Sequence, residues 1–105
     1  MNDILQKLYN VIAEKKSGNP EKSYTASLFQ KGIGKITQKV GEEAIETCIE
    51  SVSGNKEKIK SESADLLYHL LVLWAYHDIK PDDVMQVLSS REGISGIDEK
   101  NSRKD

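Results

Sequence analysis

Cysteine occurs once in this chain, at Cys48, which excludes an internal disulfide and a cysteine-rich zinc site. Proline occurs twice, at Pro20 and Pro81, and leaves long stretches without a helix breaker. Positive charge is not in excess. Fifteen Lys and Arg stand against seventeen Asp and Glu, for a net charge of −2, so the basic footprint of a nucleic-acid-binding protein is missing. Long apolar runs are missing too. The longest, Leu66 to Tyr76, is interrupted by His69 and falls short of the roughly 20 residues that a membrane helix needs. The opening MNDILQKLYN is polar where a signal peptide would be apolar. The expectation from these absences is a cytoplasmic protein without membrane or nucleic-acid partners.

No alternating strand pattern and no repeat is present either; the periodicity is helical throughout. Asn2 or Asp3 can cap a first helix with Ile4, Leu5, Leu8, Val11 and Ile12 at helical spacing, ended by Ser17-Gly18-Asn19-Pro20. A loop carrying Ser23-Tyr24-Thr25 follows, then a short helix over 26–31. Gly32 and Gly34 precede a long helix over about 33–52, with Ile36, Val40, Ala44, Cys48 and Val52 four apart and Ile33, Ile45 and Ile49 beside them. Cys48 reads as a small buried apolar residue. Gly54-Asn55 makes a turn, a further long helix runs over 56–77, and Pro81 opens a last one that ends near 91–93. The expectation is an all-α bundle of four to five helices, with one helical domain over 1–92 and a loosely ordered tail over 93–105.

The helix over 56–77 is apolar almost all round: Leu66, Leu67, Leu70, Leu71, Val72, Leu73 and Trp74. Such a helix needs burial on several sides, which a domain this small does not readily supply. Either it is the central helix of a monomer, or the bundle is completed by a second copy as a homodimer; the pattern favours the dimer.

Charge supplies the functional signal. Glu43, Glu46 and Glu50 fall within roughly 60° of arc on one helix, with Glu42 at the edge, and Glu62 and Asp65 repeat the i, i+3 spacing on the next. Glu46 and Glu62 lie almost equally far from the Gly54-Asn55 turn, so an antiparallel hairpin brings the two acidic pairs level. Like charges at helical spacing are destabilising, and crowding two such pairs together raises their pKa values unless a cation intervenes. A single acidic row is commonly a solvated face. Two rows symmetric about a turn point instead to a shared metal ion held by Glu43, Glu46, Glu62 and Asp65. All-oxygen ligands suit Mg²⁺, Mn²⁺ or Ca²⁺. The Glu-x-x-His of di-iron bundles is absent, and Mg²⁺ completed by substrate phosphate and water fits best. Glu42 is the spare carboxylate available to orient a water.

Lys31, Lys35 and Lys39 recur every four residues, and the last two share an edge with Glu42 and Glu46. They either pair with glutamates on an exposed face or neutralise a polyphosphate presented to the metal. Ser23, Tyr24 and Thr25 could add hydroxyl donors. His69 is either a satisfied core histidine or, sharing an edge with Glu62 and Asp65, a site residue.

Glu43-x-x-Glu46 followed by Glu62-x-x-Asp65 is similar to the metal-binding signature of the all-α nucleotide pyrophosphohydrolases, the MazG-like group that includes the dimeric dUTPases. SYTASLF (Ser23 to Phe29), KVGEEAIE (Lys39 to Glu46), ADLLYHLLVL (Ala64 to Leu73) and GISGIDEK (Gly93 to Lys100) resemble the phosphoribosyl-ATP pyrophosphohydrolases within it. The resemblance implies Mg²⁺-dependent hydrolysis of phosphoribosyl-ATP to phosphoribosyl-AMP and pyrophosphate, the second step of histidine biosynthesis, by an obligate dimer. Two other readings stay open: a house-cleaning pyrophosphohydrolase acting on free nucleotides such as dUTP or dCTP, and a non-catalytic helical dimerisation module.

Overall fold

The computed structural model describes residues 3–92 of the 105-residue chain; the expected cap at Asn2 and the tail over 93–105 lie outside the described residues. Five α-helices and one short 3-10 turn follow one another: α1 (Ile4–Glu14), the 3-10 turn (Lys15–Ser17), α2 (Tyr24–Lys31), α3 (Ile33–Ser53), α4 (Lys56–Tyr76) and α5 (Pro81–Ser90), with no strand among the described residues. The chain is all-α, as the periodicity requires. None of these helices is long and apolar enough to cross a membrane.

Helix α2 begins two residues earlier than its pattern suggests. Ser23 caps it, its side chain accepting from the Ala26 backbone N–H at 3.1 Å, so Tyr24 and Thr25 stand in the first helical turn rather than in a loop. Losing such a cap costs about 1 kcal/mol. Ser23→Ala should therefore lower the melting temperature by roughly 4–8 °C in a domain of this size, read by circular dichroism.

The α3–α4 hairpin turns on two local devices. Gly54 ends α3 in the left-handed region at φ 80°, its N–H bonded to the Glu50 carbonyl at 3.0 Å. Asn55 then caps α4, accepting from the Lys58 N–H at 3.1 Å. Each helix has 21 residues, hence a length of roughly 30 Å.

The core lies at one end of this hairpin. Tyr9 and Ile12 of α1, Leu28 of α2, Ile36 of α3, and Leu71, Val72 and Ala75 of α4 form its buried cluster, with Leu5, Leu8, Phe29, Ile33 and Trp74 packed against it. The half of the hairpin nearer the turn overhangs that core. Cys48 is exposed, not buried, and Ile45, Ile49 and Val52 are 62%, 59% and 90% exposed, because α1 and α2 cover only the opposite end of α3. Leu67 of α4 is likewise exposed, and Leu66, Leu70, Leu73 and Trp74 are only partly buried. The all-round apolar helix is not enclosed by its own chain.

Candidate active site

The carboxylates gather where the overhanging hairpin meets the core. One oxygen each from Glu43, Glu62 and Asp65 lies within 4.8 Å of the others. Glu43 is buried at 8% exposure, Glu62 is half-buried and Asp65 exposed, so the cluster grades from the interior outward and opens to solvent on the Asp65 side. Hairpin register puts them together: Glu43 descends α3 toward the turn, while Glu62 and Asp65 climb α4 away from it.

Glu62 is the strained member. Its Oε1 is buried with no hydrogen-bond partner. Desolvation first, then the neighbouring Glu46, then the charges of Glu43 and Asp65, push its carboxyl up to about 7. Glu46 is near enough to share a proton with Glu62 but offers none while both are ionised, which leaves Oε1 without a donor. A buried acceptor in that condition is costly, and positive charge delivered to the cluster would relieve it. Donor type, spacing and the orphaned oxygen all fit a hard divalent cation.

Glu42 is engaged by its own helix. It accepts from Gln38 Nε2 at 2.8 Å and from Lys39 Nζ at 3.1 Å, and these bonds, with Gln38 first, hold its carboxyl below the usual range. Lys39 also reaches Glu43 Oε2 at 3.6 Å, and its bond to Glu42 raises its own pKa. The lysine row thus divides. Lys39 stands against the carboxylate cluster, Lys35 is close enough to act on Glu42 through charge, and Lys31 closes α2 on the surface. Glu50 takes the Ser53 hydroxyl at 3.3 Å and lies outside the cluster.

On the α4 side, the first turn of α2 docks through two side chains. Thr25 Oγ1 and the Tyr68 hydroxyl are hydrogen-bonded. The Tyr24 hydroxyl meets His69 Nε2 at 3.4 Å. His69, 6% exposed, places Nδ1 2.9 Å from the Asp65 carbonyl oxygen. A carbonyl only accepts, so Nδ1 carries the hydrogen, and Nε2 is the ring nitrogen left to pair with the Tyr24 hydroxyl. Buried and fully partnered, His69 links Tyr24 to the turn of α4 that carries Asp65. Ser23 is committed to its cap. The Thr25–Tyr68 and Gln38–Glu42 bonds differ in how far sequence announces them. The first is tertiary; the second has a local signal, since a Gln four residues before a Glu faces it on a helix.

Known proteins resemble this chain in sequence along nearly its whole length. A family model described as phosphoribosyl-ATP pyrophosphohydrolase matches residues 5–92. The chain is 56% identical over 101 residues to a protein of Azospirillum brasilense named phosphoribosyl-ATP pyrophosphatase, covering 96% of this chain and 91% of that one. A protein of the same name from Paramagnetospirillum magneticum is 56% identical over 100 residues, covering 95% and 92%. Another from Geobacter sulfurreducens is 54% identical over 104 residues, covering 99% and 96%. Identity at that level, sustained from α1 through α5, means that the chain belongs to the phosphoribosyl-ATP pyrophosphohydrolase family.

Proposed function

We propose that this chain hydrolyses phosphoribosyl-ATP to phosphoribosyl-AMP and pyrophosphate, the second step of histidine biosynthesis, in the cytoplasm, as a Mg²⁺-dependent homodimer. The observation that carries the metal is the buried, unpartnered Oε1 of Glu62, in a carboxylate grouped with those of Glu43 and Asp65. Glu43, Glu46, Glu62 and Asp65 would hold the ion. When bound, Mg²⁺ supplies positive charge that polarises the phosphoryl oxygens and lowers the pKa of a coordinated water.

The remaining work falls to side chains. Water adds to one phosphorus of the α–β anhydride, the bridging P–O bond breaks with its electron pair kept by the leaving oxygen, and the water's proton passes to solvent, giving phosphoribosyl-AMP and pyrophosphate. Glu42, kept ionised by Gln38 and Lys39, acts as an acceptor that orients this water. Lys39, at the rim of the carboxylate cluster, and Lys35 one turn before it on α3 meet the charge of the departing pyrophosphate, with Lys31, across the Gly32 break at the end of α2, as the third donor. Ser23 and Thr25 act by fixing the first turn of α2, which leaves the Tyr24 side chain to face the substrate, and His69 sets the position of Tyr24. Dimerisation follows from the exposed apolar face of the hairpin.

Incubation with phosphoribosyl-ATP and with a panel including ATP, dUTP and dCTP, with and without EDTA, tests the reading by pyrophosphate release. Phosphoribosyl-ATP should be the preferred substrate by at least about 100-fold in kcat/KM, a discrimination of roughly 2.7 kcal/mol, and EDTA should abolish turnover. Preference for a free nucleotide would transfer the protein to the house-cleaning class, and no pyrophosphate from any of them would leave only a dimerisation module.

A further inference from the structure

Tyr24 is held at both ends and still exposed. Its backbone is fixed in the capped first turn of α2, its hydroxyl is bonded to His69, and its side-chain environment includes Tyr68, stacked at 6.4 Å between centroids and 23° between planes. His69 stands edge-on to both rings, at 86° to Tyr24 and 83° to Tyr68. A ring so constrained usually belongs to a packed interior, yet Tyr24 is 55% exposed. Docking of α2 does not explain the ring, since Thr25 and Tyr68 already join the same two helices. Tyr24 also stands beside the site: it lies within electrostatic reach of Lys39, and its partner His69 is bonded to the carbonyl of Asp65.

The proposed substrate gives this ring a task. In phosphoribosyl-ATP the second ribose is carried on N1 of adenine. Alkylation there makes the amidine system of the ring far more basic than in ATP, so the purine is cationic near neutral pH. A cation over a tyrosine face is attracted by the ring quadrupole, and aromatic groups preferentially collect cationic ligands for this reason. The acidic cluster beyond His69, Glu43, Glu62 and Asp65 with Glu46 beside Glu62, adds a field of the same sense.

Resting on the function proposed above, we infer that Tyr24 is a specificity-determining residue whose exposed ring stacks on the cationic, N1-substituted adenine and so discriminates phosphoribosyl-ATP from ATP. Tyr68 and His69 are positioning residues that hold this ring at its angle. Stacking alone would favour any purine; the positive charge is what separates the two substrates.

The test compares AMP with 1-methyladenosine 5′-monophosphate, which carries the same charge at N1 without the second ribose. Calorimetric titrations in Mg²⁺ should show the wild type binding the methylated nucleotide about tenfold more tightly, within the range of a partly desolvated cation–π contact. Tyr24→Leu should bring that ratio to near one while leaving the thermal shift by Mg²⁺ unchanged. Tyr24→Phe, which keeps the ring and loses only the hydroxyl, should retain the preference. If Tyr24→Leu does not fold, magnetisation transfer between the Tyr24 ring protons and the N1-methyl group in the wild type decides the matter. Equal affinities in the wild type, a preference that survives in Tyr24→Leu, or absence of that transfer would overturn the assignment. Failure of the wild type to hydrolyse phosphoribosyl-ATP would count against the proposed reaction instead, since the binding ratio requires no turnover.

Discussion

Glu62→Gln should make the metal-free protein more stable above about pH 7 and, in the same molecule, lower turnover of phosphoribosyl-ATP by roughly 100-fold to 1,000-fold, the range for removing one preorganised electrostatic group. The two effects have one cause. The Glu62 carboxyl is raised from 4.5 to about 7 by burial and by Glu46, so between those values the folded chain holds a proton that the unfolded chain has lost. The stability contributed by that proton is complete below the unfolded pKa and disappears as pH climbs through the folded one. The metal-free wild type should therefore lose melting temperature from about pH 4.5 to about pH 7 relative to Glu62→Gln, and the difference should level off above that. A neutral amide at this position removes the repulsion and the slope together.

Adding Mg²⁺ to the wild type above about pH 7 should reverse the loss, because a ligand that binds only the folded state raises the melting temperature as it saturates. Glu62→Gln should respond weakly or not at all. Melting curves in EDTA and in Mg²⁺ across this pH range, with pyrophosphate release measured alongside, check every arm. A wild type indifferent to Mg²⁺, or a variant that turns over at the wild-type rate, would remove Glu62 from the metal site.

The parts of this site that were legible in sequence are the parts encoded locally. Glycine followed by asparagine specifies a turn because left-handed backbone and a side-chain cap are needed within two residues, and Gly54 and Asn55 supply them in that order. Once the turn is fixed, counting outward along two helices brings Glu43 and Glu46 level with Glu62 and Asp65; oxygens of Glu43, Glu62 and Asp65 converge within 4.8 Å, while Glu46 stays exposed beside that triplet. The start of α2 was less legible. Ser23 is a good cap, but the position three residues on is Ala26 rather than the Glu or Gln of a capping box, and the β-branched Thr25 and aromatic Tyr24 are indifferent helix formers. Their pairing with Tyr68 and His69 supplies what local propensity does not, and it joins residues more than forty apart. Cys48 is exposed where its small apolar character suggests burial, for a related reason. Periodicity shows that Ile45, Cys48, Ile49 and Val52 lie on one stripe, but it says nothing about whether this chain provides anything to cover them, and α1 and α2 do not reach that far.

That uncovered stripe carries the second large expectation. Positions 45, 48, 49 and 52 follow i, i+3, i+4, i+7, one continuous face of α3, and Leu67 is exposed on the paired helix. A cluster of aliphatic side chains on an overhanging hairpin is the kind of patch that soluble proteins reserve for association. A second copy is the natural occupant: in a two-fold arrangement the same stripe covers itself, and each substitution is felt twice. Burying one isoleucine contributes about 1.5–3 kcal/mol. Ile49→Glu, present on both protomers, should therefore weaken the dimer by at least about 100-fold to 10,000-fold, before the added cost of trapping two carboxylates between apolar surfaces. Sedimentation velocity at micromolar concentration should find the wild type dimeric and Ile49→Glu monomeric. Melting temperature gives an independent check, since it rises with protein concentration only where association stabilises the fold: the wild type should show that rise, and Ile49→Glu should melt lower and independently of concentration. A wild type that sediments as a monomer and melts at one temperature over a hundredfold range of concentration would mean that α3 faces water along its whole outer edge.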